Sequence, residues 1–180
     1  MTRRQLEHIL RASGAVTDET EIVILGSQSI LGAFPMPPDA LCCSLEADVY
    51  PRNAPEKTDL IDGTIGELSP FHETHGYYAH GIIPETTVLA DGWQNRLVPL
   101  YSPMTQGVTG LCLAPVDLAI SKLAAHREKD IAFVRVMVEN TLFDVNVFRN
   151  LAATLPEPYR TQLPHTLATF LPQAGGSRLP

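Results

Sequence analysis

The stretch EIVILGSQSILGAFP, residues 21–35, decides how the rest of the sequence is interpreted. Its apolar residues 22–25 indicate a strand that is buried on both faces and lies centrally in its sheet. The strand ends at Gly26-Ser27, after which residues 27–33 favour a short helix. The sequence allows two explanations for a glycine at this turn. Gly26 either supplies the backbone freedom that a tight bend needs, or it lets a phosphate group come close to the main chain.

The composition is that of a folded protein with a substantial core. The chain has 180 residues, of which 44% are hydrophobic and 18% charged, so we expect one domain, with or without a helical appendage. Its net charge of −7 argues against a surface that coats nucleic acid, although it leaves room for a local basic pocket. No apolar stretch approaches the roughly 20 residues that span a bilayer, and the amphipathic segment 1–15 lacks the apolar centre of a signal peptide. We therefore expect a cytoplasmic protein with no membrane partner.

Hydrophobic periodicity predicts an alternation of helices and strands. Helices are predicted over residues 3–13, 58–68 and 114–140, strands over 21–25 and 43–50, and two or three further strands between 71 and 102. The segment 114–140 forms either one long helix or two helices with a bend near HREKD, residues 126–130. Short helices are predicted in the proline-rich tail that follows.

This order of elements predicts an α/β, or α+β, fold with a small mixed sheet flanked by helices. Residues 1–113 are expected to form the α/β core, and residues 114–172 a helical part packed on that core. Residues 173–180 are expected to form a flexible tail.

Two carboxylates lie close together on the predicted strand 43–50. Alternation along this strand directs Leu45 and the other apolar residues to one face, and Glu46 and Asp48 to the opposite face. Two negative charges about 6–7 Å apart at the backbone repel each other, and a divalent cation such as Mg²⁺ between them relieves the repulsion. The alternative is a solvent-exposed strand face, on which acidic pairs are common.

The Gly26-Ser27 turn supports the metal-binding alternative. Such a turn presents backbone N–H groups and a hydroxyl to a phosphate, and the helix that follows adds the positive end of its dipole. If the strands 21–25 and 43–50 are neighbours, the turn lies beside the carboxylate pair. This arrangement is typical of a site for a nucleoside triphosphate and its metal ion. It is not a P-loop, because no Gly-Lys-Ser/Thr follows the glycine.

These motifs together resemble those of a known superfamily. The segments LGSQSILG (25–32) and SLEADVY (44–50) resemble the Gly-Ser and acidic-x-acidic signature of the nucleotidyltransferases, which have the DNA-polymerase-beta-like fold. The segment PVDLAISKLAAHREKDIAFV (115–134) resembles the helical lysine-arginine-aspartate element of the AbiEii-type abortive-infection toxins. The resemblance covers roughly residues 20–140, with its three pieces in the same order.

The resemblance implies a function and a set of partners. Such proteins bind a nucleoside triphosphate with Mg²⁺ and transfer a nucleotide to a hydroxyl of RNA, such as tRNA, or of protein. The setting it implies is a toxin–antitoxin or phage-defence pair, in which a cognate toxin or antitoxin is a further partner.

The resemblance also implies roles for individual residues. The implied phosphate-binding residues are Gly26, Ser27, Lys122, Arg127 and Lys129. The implied catalytic residues are Glu46, Asp48, Lys122 and Asp130, of which the first two are also the metal ligands. In a continuous helix Lys122, His126 and Asp130 would share one face, because they are spaced i, i+4 and i+8. The alternative for that face is a solvated stripe of charges.

The sequence departs from the family pattern at two points. Glu46 stands where the family more often has aspartate, and a third carboxylate, the usual base for the attacking hydroxyl, has no obvious counterpart. Glu85 and Asp91 lie in the corresponding region, but both are beside turn residues. The alternative function is therefore a catalytically inactive relative that binds a nucleotide or, like an antitoxin, a protein partner.

Other residues allow a second interpretation. A zinc site could be imagined from His72, His75 and His80, but no ligand spacing of a known site is complete, so polar loop or pocket-lining positions are favoured. Trp93 is interpreted as a core residue beside a turn rather than a base-stacking platform. Arg96 either supports a phosphate or pairs with an acid at the surface.

Overall fold

The computed structural model describes residues 1–171. They form eight α-helices: α1 (Arg3–Thr17), α2 (Ile30–Ala33), α3 (Thr58–Ile65), α4 (Pro70–His75), α5 (Pro115–Ala125), α6 (Glu128–Glu139), α7 (Val145–Ala152) and α8 (Tyr159–Ala168). They also form five strands: β1 (Glu21–Ile24), β2 (Glu46–Pro51), β3 (Tyr78–Gly81), β4 (Val98–Leu100) and β5 (Thr109–Cys112).

The strands form one mixed sheet in the order β3-β2-β1-β5-β4. Strand β1 is antiparallel to β2 and parallel to β5, while β3 runs parallel to β2 and β4 antiparallel to β5. The central position predicted for β1 is confirmed, as is the fold class of a mixed α/β protein with a sheet flanked by helices.

The core lies between the sheet and the helices that cover it. Helix α1 packs across β1, β2, β3 and β5, and it begins with a capping box in which Thr2 and Gln5 satisfy each other's backbone N–H groups. The fully buried side chains of the central elements include Leu6, Ile9, Leu10, Ile22, Ile24, Ala47, Val49, Leu118 and Ile120. Burying such a side chain stabilises the fold by roughly 1.5–3 kcal/mol.

Helix α1 is longer than the sequence predicted. It continues through Ser13-Gly14 and ends at Thr17, with Asp18 in the left-handed conformation. A Cβ added at Gly14 would lie 2.4 Å from a methyl of Val108. The glycine therefore lets the helix pack closely on a neighbouring segment and does not end it.

The predicted segment 114–140 is two helices, which was one of the two alternatives. Helix α5 ends where His126 adopts a positive φ of 53°, and α6 starts two residues later. Helix α4 and strand β5 were not predicted, and residues 71–102 contribute two strands, β3 and β4. Strand β2 starts at Glu46, so Leu45 precedes it and is 53% exposed, contrary to the predicted apolar face.

The C-terminal region contains the short helices expected of it. Helices α7 and α8 follow α6 and both contact α5. The division of the chain at residues 113 and 114 stays a prediction, and the predicted flexible tail, residues 173–180, lies outside the described residues. Of the helices within residues 1–171, none combines the length and the apolar character that crossing a bilayer requires.

Candidate functional site

The turn after β1 lies directly against the carboxylate of Asp48. The Leu25 N–H donates to the Asp48 carbonyl at 3.0 Å, which continues the β1–β2 pairing to the turn. Gly26 has φ −81° and ψ −168°, an extended conformation that any residue adopts, so backbone freedom does not explain the glycine. A Cβ at this position would lie 1.7 Å from Oδ2 of Asp48. The glycine is therefore explained by close approach, and the group that approaches is the carboxylate.

The acid–imidazole cluster consists of Glu46, Asp48 and His80. Glu46 and Asp48 lie on the same face of β2, and strand register pairs Asp48 with His80 on β3. Nδ1 of His80 is 3.1 Å from Oδ1 of Asp48 and 3.5 Å from Oε1 of Glu46. One potential ligand atom from each residue lies within 4.8 Å of the others. The Tyr78 hydroxyl donates to the second oxygen of Glu46, Oε2, at 3.0 Å.

The two acids of this cluster have opposite pKa shifts. Burial, followed by the proximity of Glu46, raises the pKa of Asp48 to about 6. Burial would also raise the pKa of Glu46, but hydrogen bonds with Asp48 and Tyr78 and the charge of His80 lower it. Burial would lower the pKa of His80, but its contact with Asp48 and both negative charges raise it. The two carboxylates exceed the one imidazolium by a single negative charge, and the charges of Lys129 and Arg127 also act on this pair.

The cationic cluster is formed by Lys122, Arg127 and Asp130 at the junction of α5 and α6. Nζ of Lys122 is 3.0 Å from Oδ1 of Asp130, and Nε of Arg127 donates to Oδ2. Lys122 also lies over the ring of Phe133, 5.5 Å from its centroid. Burial would raise the pKa of Asp130, but the hydrogen bond from Arg127 and the charge of Lys122 hold it below its usual value.

The geometry of this second cluster differs from the prediction. Because the helix breaks at His126, Lys122 and Asp130 do not share a face of one continuous helix. The left-handed residue instead turns the chain so that the first turn of α6 meets the last turn of α5. Asp130 is only 1% exposed and is held between two cations, which is not the arrangement of a free catalytic acid.

Both clusters and the Gly26-Ser27 turn line one cavity of about 800 Å³. The residues for which the resemblance implied phosphate-binding, catalytic or metal-binding roles all lie on its wall: Gly26, Ser27, Glu46, Asp48, Lys122, Arg127, Lys129 and Asp130. Apolar side chains, including Leu25, Ile82, Val88, Phe133 and Tyr159, line the remainder. Such a cavity offers polar groups to a charged ligand and apolar surface to its less polar part.

A family model described as a nucleotidyltransferase of unknown function (DUF6036) matches residues 4–160. The chain belongs to this nucleotidyltransferase family. The superfamily predicted from the sequence is thereby confirmed, and the mixed sheet with flanking helices is consistent with a nucleotidyltransferase-like fold. The narrower resemblance to AbiEii-type toxins stays a prediction. Neither the curated proteins nor the solved structures gave a match to this chain.

The nucleotidyltransferase cavity has no counterpart of a free third carboxylate within residues 1–171. Neither Glu85 nor Asp91 is among the residues on its wall, although the neighbouring Thr86 and Thr87 are. The remaining acid on the wall, Asp130, is occupied by Lys122 and Arg127. The position beside Glu46 and Asp48 is instead held by the imidazole of His80.

Arg96 and Trp93 contribute to the packing of the fold rather than to the cavity wall. Nε and Nη2 of Arg96 donate to the two carboxylate oxygens of Asp117 at 2.8 and 2.7 Å, and Asp117 is fully buried. Arg96 is thus paired with a buried acid rather than a surface acid, and it is not among the cavity residues. Trp93 is buried, as predicted for a core residue.

Sequence reasoning favoured a polar loop or pocket-lining position for His80, which does line the cavity, but it missed that His80 and Tyr78 contact the carboxylate pair. The three histidines of the proposed zinc alternative do not converge: His75 packs on the ring of His8, and His72 accepts from the Leu68 N–H. The available signal was the alternation in strand YAHG, residues 78–81, which puts Tyr78 and His80 on one face. What that face meets depends on pairing with β2, 32 residues earlier.

Proposed function

We propose that this protein transfers a nucleotide from a nucleoside triphosphate to a hydroxyl of RNA or protein with the help of a divalent cation, for which the resemblance implies Mg²⁺. The observation that carries the proposal is the meeting of three separate segments at one cavity. These are the Gly26-Ser27 turn, the carboxylates of Glu46 and Asp48, and the basic residues around the α5–α6 junction. Membership of a nucleotidyltransferase family supports the same reaction class.

The residues of the acid–imidazole cluster fit a divalent cation. Carboxylate oxygens are the ligands that hard cations prefer, and the two side chains point into an open cavity that leaves room for water and phosphate oxygens. Glu46 and Asp48 would hold the ion, which would neutralise the triphosphate and orient it for attack.

The chain's own residues then bind and position the triphosphate. The Gly26-Ser27 turn offers backbone N–H groups and the Ser27 hydroxyl to phosphate oxygens. Lys122, Arg127 and Lys129 line the same cavity and would supply positive charge to the phosphates and to the leaving pyrophosphate. Asp130 acts through Lys122 and Arg127 as a positioning residue, because its contacts with them fix where both cations lie.

The acceptor and the biological setting follow from the resemblance alone. The resemblance of residues 115–134 to the AbiEii-type toxins implies a hydroxyl of tRNA or protein as the acceptor. It also implies a toxin–antitoxin or phage-defence pair as the setting. Expression of the wild-type chain should arrest growth if it is such a toxin, and the Asp48→Asn variant should relieve that arrest.

Transfer of label tests the reaction directly. The protein is incubated with each of the four triphosphates, labelled at the α or the γ phosphate, together with total RNA or total protein. We expect label from the α position only, and none with Asp48→Asn. Label from the γ position would indicate phosphoryl transfer, and no label with any of the four would reject nucleotide transfer.

The absence of a free third carboxylate on the described cavity wall favours one second candidate. This is a catalytically inactive member that binds a nucleotide or, like an antitoxin, a protein partner. Calorimetry with and without Mg²⁺ separates the two functions, because metal-dependent triphosphate binding without any label transfer would support the inactive member.

A further inference from the structure

The proposed function assigns no role to His80, the third member of the acid–imidazole cluster. We propose that His80 is the third protein ligand of the cation and that its imidazole makes the site prefer Mn²⁺ over Mg²⁺. The inference rests on the part of the proposed function that places a cation between Glu46 and Asp48. It goes further by naming a ligand and a class of ion.

Strand pairing fixes His80 in this position. Glu46 and Asp48 are opposite Tyr78 and His80 in the parallel register of β2 and β3, so the four side chains lie on one face. His80 therefore reaches the carboxylates from a neighbouring strand and not from a mobile loop. The side chain of His80 is 50% exposed and that of Asp48 23%, which leaves the cluster open towards the cavity.

The distances agree with three ligands around one ion. Adjacent ligands of an octahedral ion with bonds of about 2.1 Å are about 3 Å apart. Nδ1 of His80 lies 3.1 Å from the nearer oxygen of Asp48 and 3.5 Å from that of Glu46. All three ligand atoms lie within 4.8 Å of one another, and an ion between them would have its remaining coordination positions open to the cavity that the three residues line.

Tyr78 supports the same arrangement from outside the ligand set. Its hydroxyl holds Oε2 of Glu46, and the other oxygen, Oε1, is the one that faces His80. A hydrogen bond of this kind orients a ligating carboxylate and is typical of metal sites. The same contact leaves Oε1 as the oxygen available to an ion.

Ligand chemistry identifies the class of ion. Three carboxylates would suit Mg²⁺, which prefers oxygen ligands and keeps several waters. Imidazole nitrogen is a ligand of first-row transition ions, and Mn²⁺ is the ion of that row that also suits the carboxylate and water ligands of a Mg²⁺ site. Mn²⁺ also coordinates phosphate oxygens, so it is compatible with a triphosphate in the cavity.

The opposing interpretation is that a protonated His80 takes the place of a cation. In that case the imidazolium neutralises Glu46 and Asp48, no nitrogen reaches a metal ion, and removing His80 leaves any metal affinity unchanged or strengthens it. The two interpretations therefore predict different spectra and opposite effects of substitution.

Electron spin echo envelope modulation of the full chain loaded with Mn²⁺ alone provides the first test. We expect ¹⁴N coupling from a coordinated imidazole in the wild type, loss of the coupling in His80→Asn, and its retention in His165→Asn, which changes an exposed histidine on α8. Absence of ¹⁴N coupling in the wild type, or its persistence in His80→Asn, would overturn the inference.

Calorimetry with Mn²⁺ and with Mg²⁺, in the absence of nucleotide, provides the second test. His80→Asp converts the cluster to three carboxylates, so the ratio of Mn²⁺ to Mg²⁺ affinity should fall by about tenfold or more. An unchanged ratio, or a wild type that binds neither ion, would overturn the inference; circular dichroism confirms that each variant folds.

Neither test contains a triphosphate or an acceptor, so the inference and the proposed function fail separately. A protein with ¹⁴N coupling that transfers no label keeps its metal site and loses the reaction. A protein that transfers label without ¹⁴N coupling keeps the reaction and loses His80 as a ligand.

Discussion

The acid–imidazole cluster and the cationic cluster line the same cavity but differ in how their charges are balanced. Asp130 is 1% exposed and has two cations within hydrogen-bonding distance, one of which, Lys122, is itself buried. Glu46 and Asp48 have one partially exposed imidazole between them. The acid of the cationic cluster is thus shielded from solvent and over-compensated by one positive charge, whereas the acid–imidazole cluster is open and has one negative charge more than its imidazolium neutralises.

The ionised carboxylate of Asp130 therefore stabilises the folded chain, whereas the ionised carboxylate of Asp48 destabilises it. The pKa of Asp130 is lowered, which means that the folded chain favours its charged form. The pKa of Asp48 is raised to about 6, so the folded chain binds this proton more tightly than the unfolded chain does. An acid kept in unfavourable surroundings at the wall of a cavity is a feature of functional sites. A bound cation would remove the penalty.

Asp48→Asn should have the largest effect, and in opposite directions on binding and stability. Cation affinity should fall at least about 100-fold, because one of two carboxylate ligands is lost. Without a cation, at pH 8, the variant should be more stable than the wild type by on the order of 1–3 kcal/mol, since no charge is buried. Calorimetry and urea unfolding in EDTA measure the two quantities.

The pH dependence of this gain follows from the sign of the Asp48 shift. The pKa rises from its usual 3.8 to about 6 on folding, so the stabilisation from its proton is present below about pH 4 and lost as the pH rises through 6. The difference between Asp48→Asn and the wild type should therefore grow between pH 4 and pH 7. Asp91→Asn, an exposed acid outside the cavity, is the matched control and should change neither quantity. A loss of stability in Asp48→Asn at pH 8 would contradict the comparison.

Lys122→Met should have the second-largest effect, on stability. It leaves the buried Asp130 with Arg127 as its remaining cation, and breaking such a pair should cost about 2–3 kcal/mol. Adding Asp130→Asn should recover part of the loss, because the unpaired charge is then gone. Urea unfolding of the two single variants and the double variant forms the cycle. Additive losses would mean that the two side chains are not coupled.

The sequence predicted the parts of this site that are encoded locally. The Gly26-Ser27 turn, the alternation that puts Glu46 and Asp48 on one face, and the basic residues near Lys122 are each visible within a short segment. The central position of β1 follows in the same way from its unbroken apolar run. Each of these features needs knowledge of only a few neighbouring residues.

The features that the sequence did not predict depend on distant contacts or on one residue's conformation. His80 joins the cluster because β3 pairs with β2 in one register, and a shift by one residue would turn it to the other face. The break near residues 126–130 was one of two alternatives, but the positive φ that makes it, at a residue that is not glycine, is not signalled by periodicity. The need for Gly26 becomes clear only when the Asp48 carboxylate is seen against it.

Gly26→Ala should have an intermediate effect that is confined to the acid–imidazole cluster. Its Cβ would meet not only Oδ2 of Asp48 but also Cβ of Asp48 at 2.9 Å, so the clash is not relieved by rotating the carboxylate alone. We expect a loss of about 1–2 kcal/mol in stability and about tenfold in cation affinity. Gly63→Ala in α3 is the control: nothing lies within 4 Å of its added Cβ, and it should stabilise the helix slightly. Wild-type cation binding by Gly26→Ala would show that the turn does not constrain Asp48.

Lys129→Met should have the smallest effect, because Lys129 is an exposed member of the basic residues that line the cavity. Lys129 lines the cavity but is exposed, so its removal should change stability by less than about 0.5 kcal/mol. Triphosphate affinity should fall only a few-fold, and the difference from the wild type should shrink at high salt, because exposed charges are screened. Arg52→Met removes the same charge outside the cavity and should leave that affinity unchanged. Titrations at low and high salt test this, and an equal loss in both variants would assign the effect to net charge rather than to the position of Lys129.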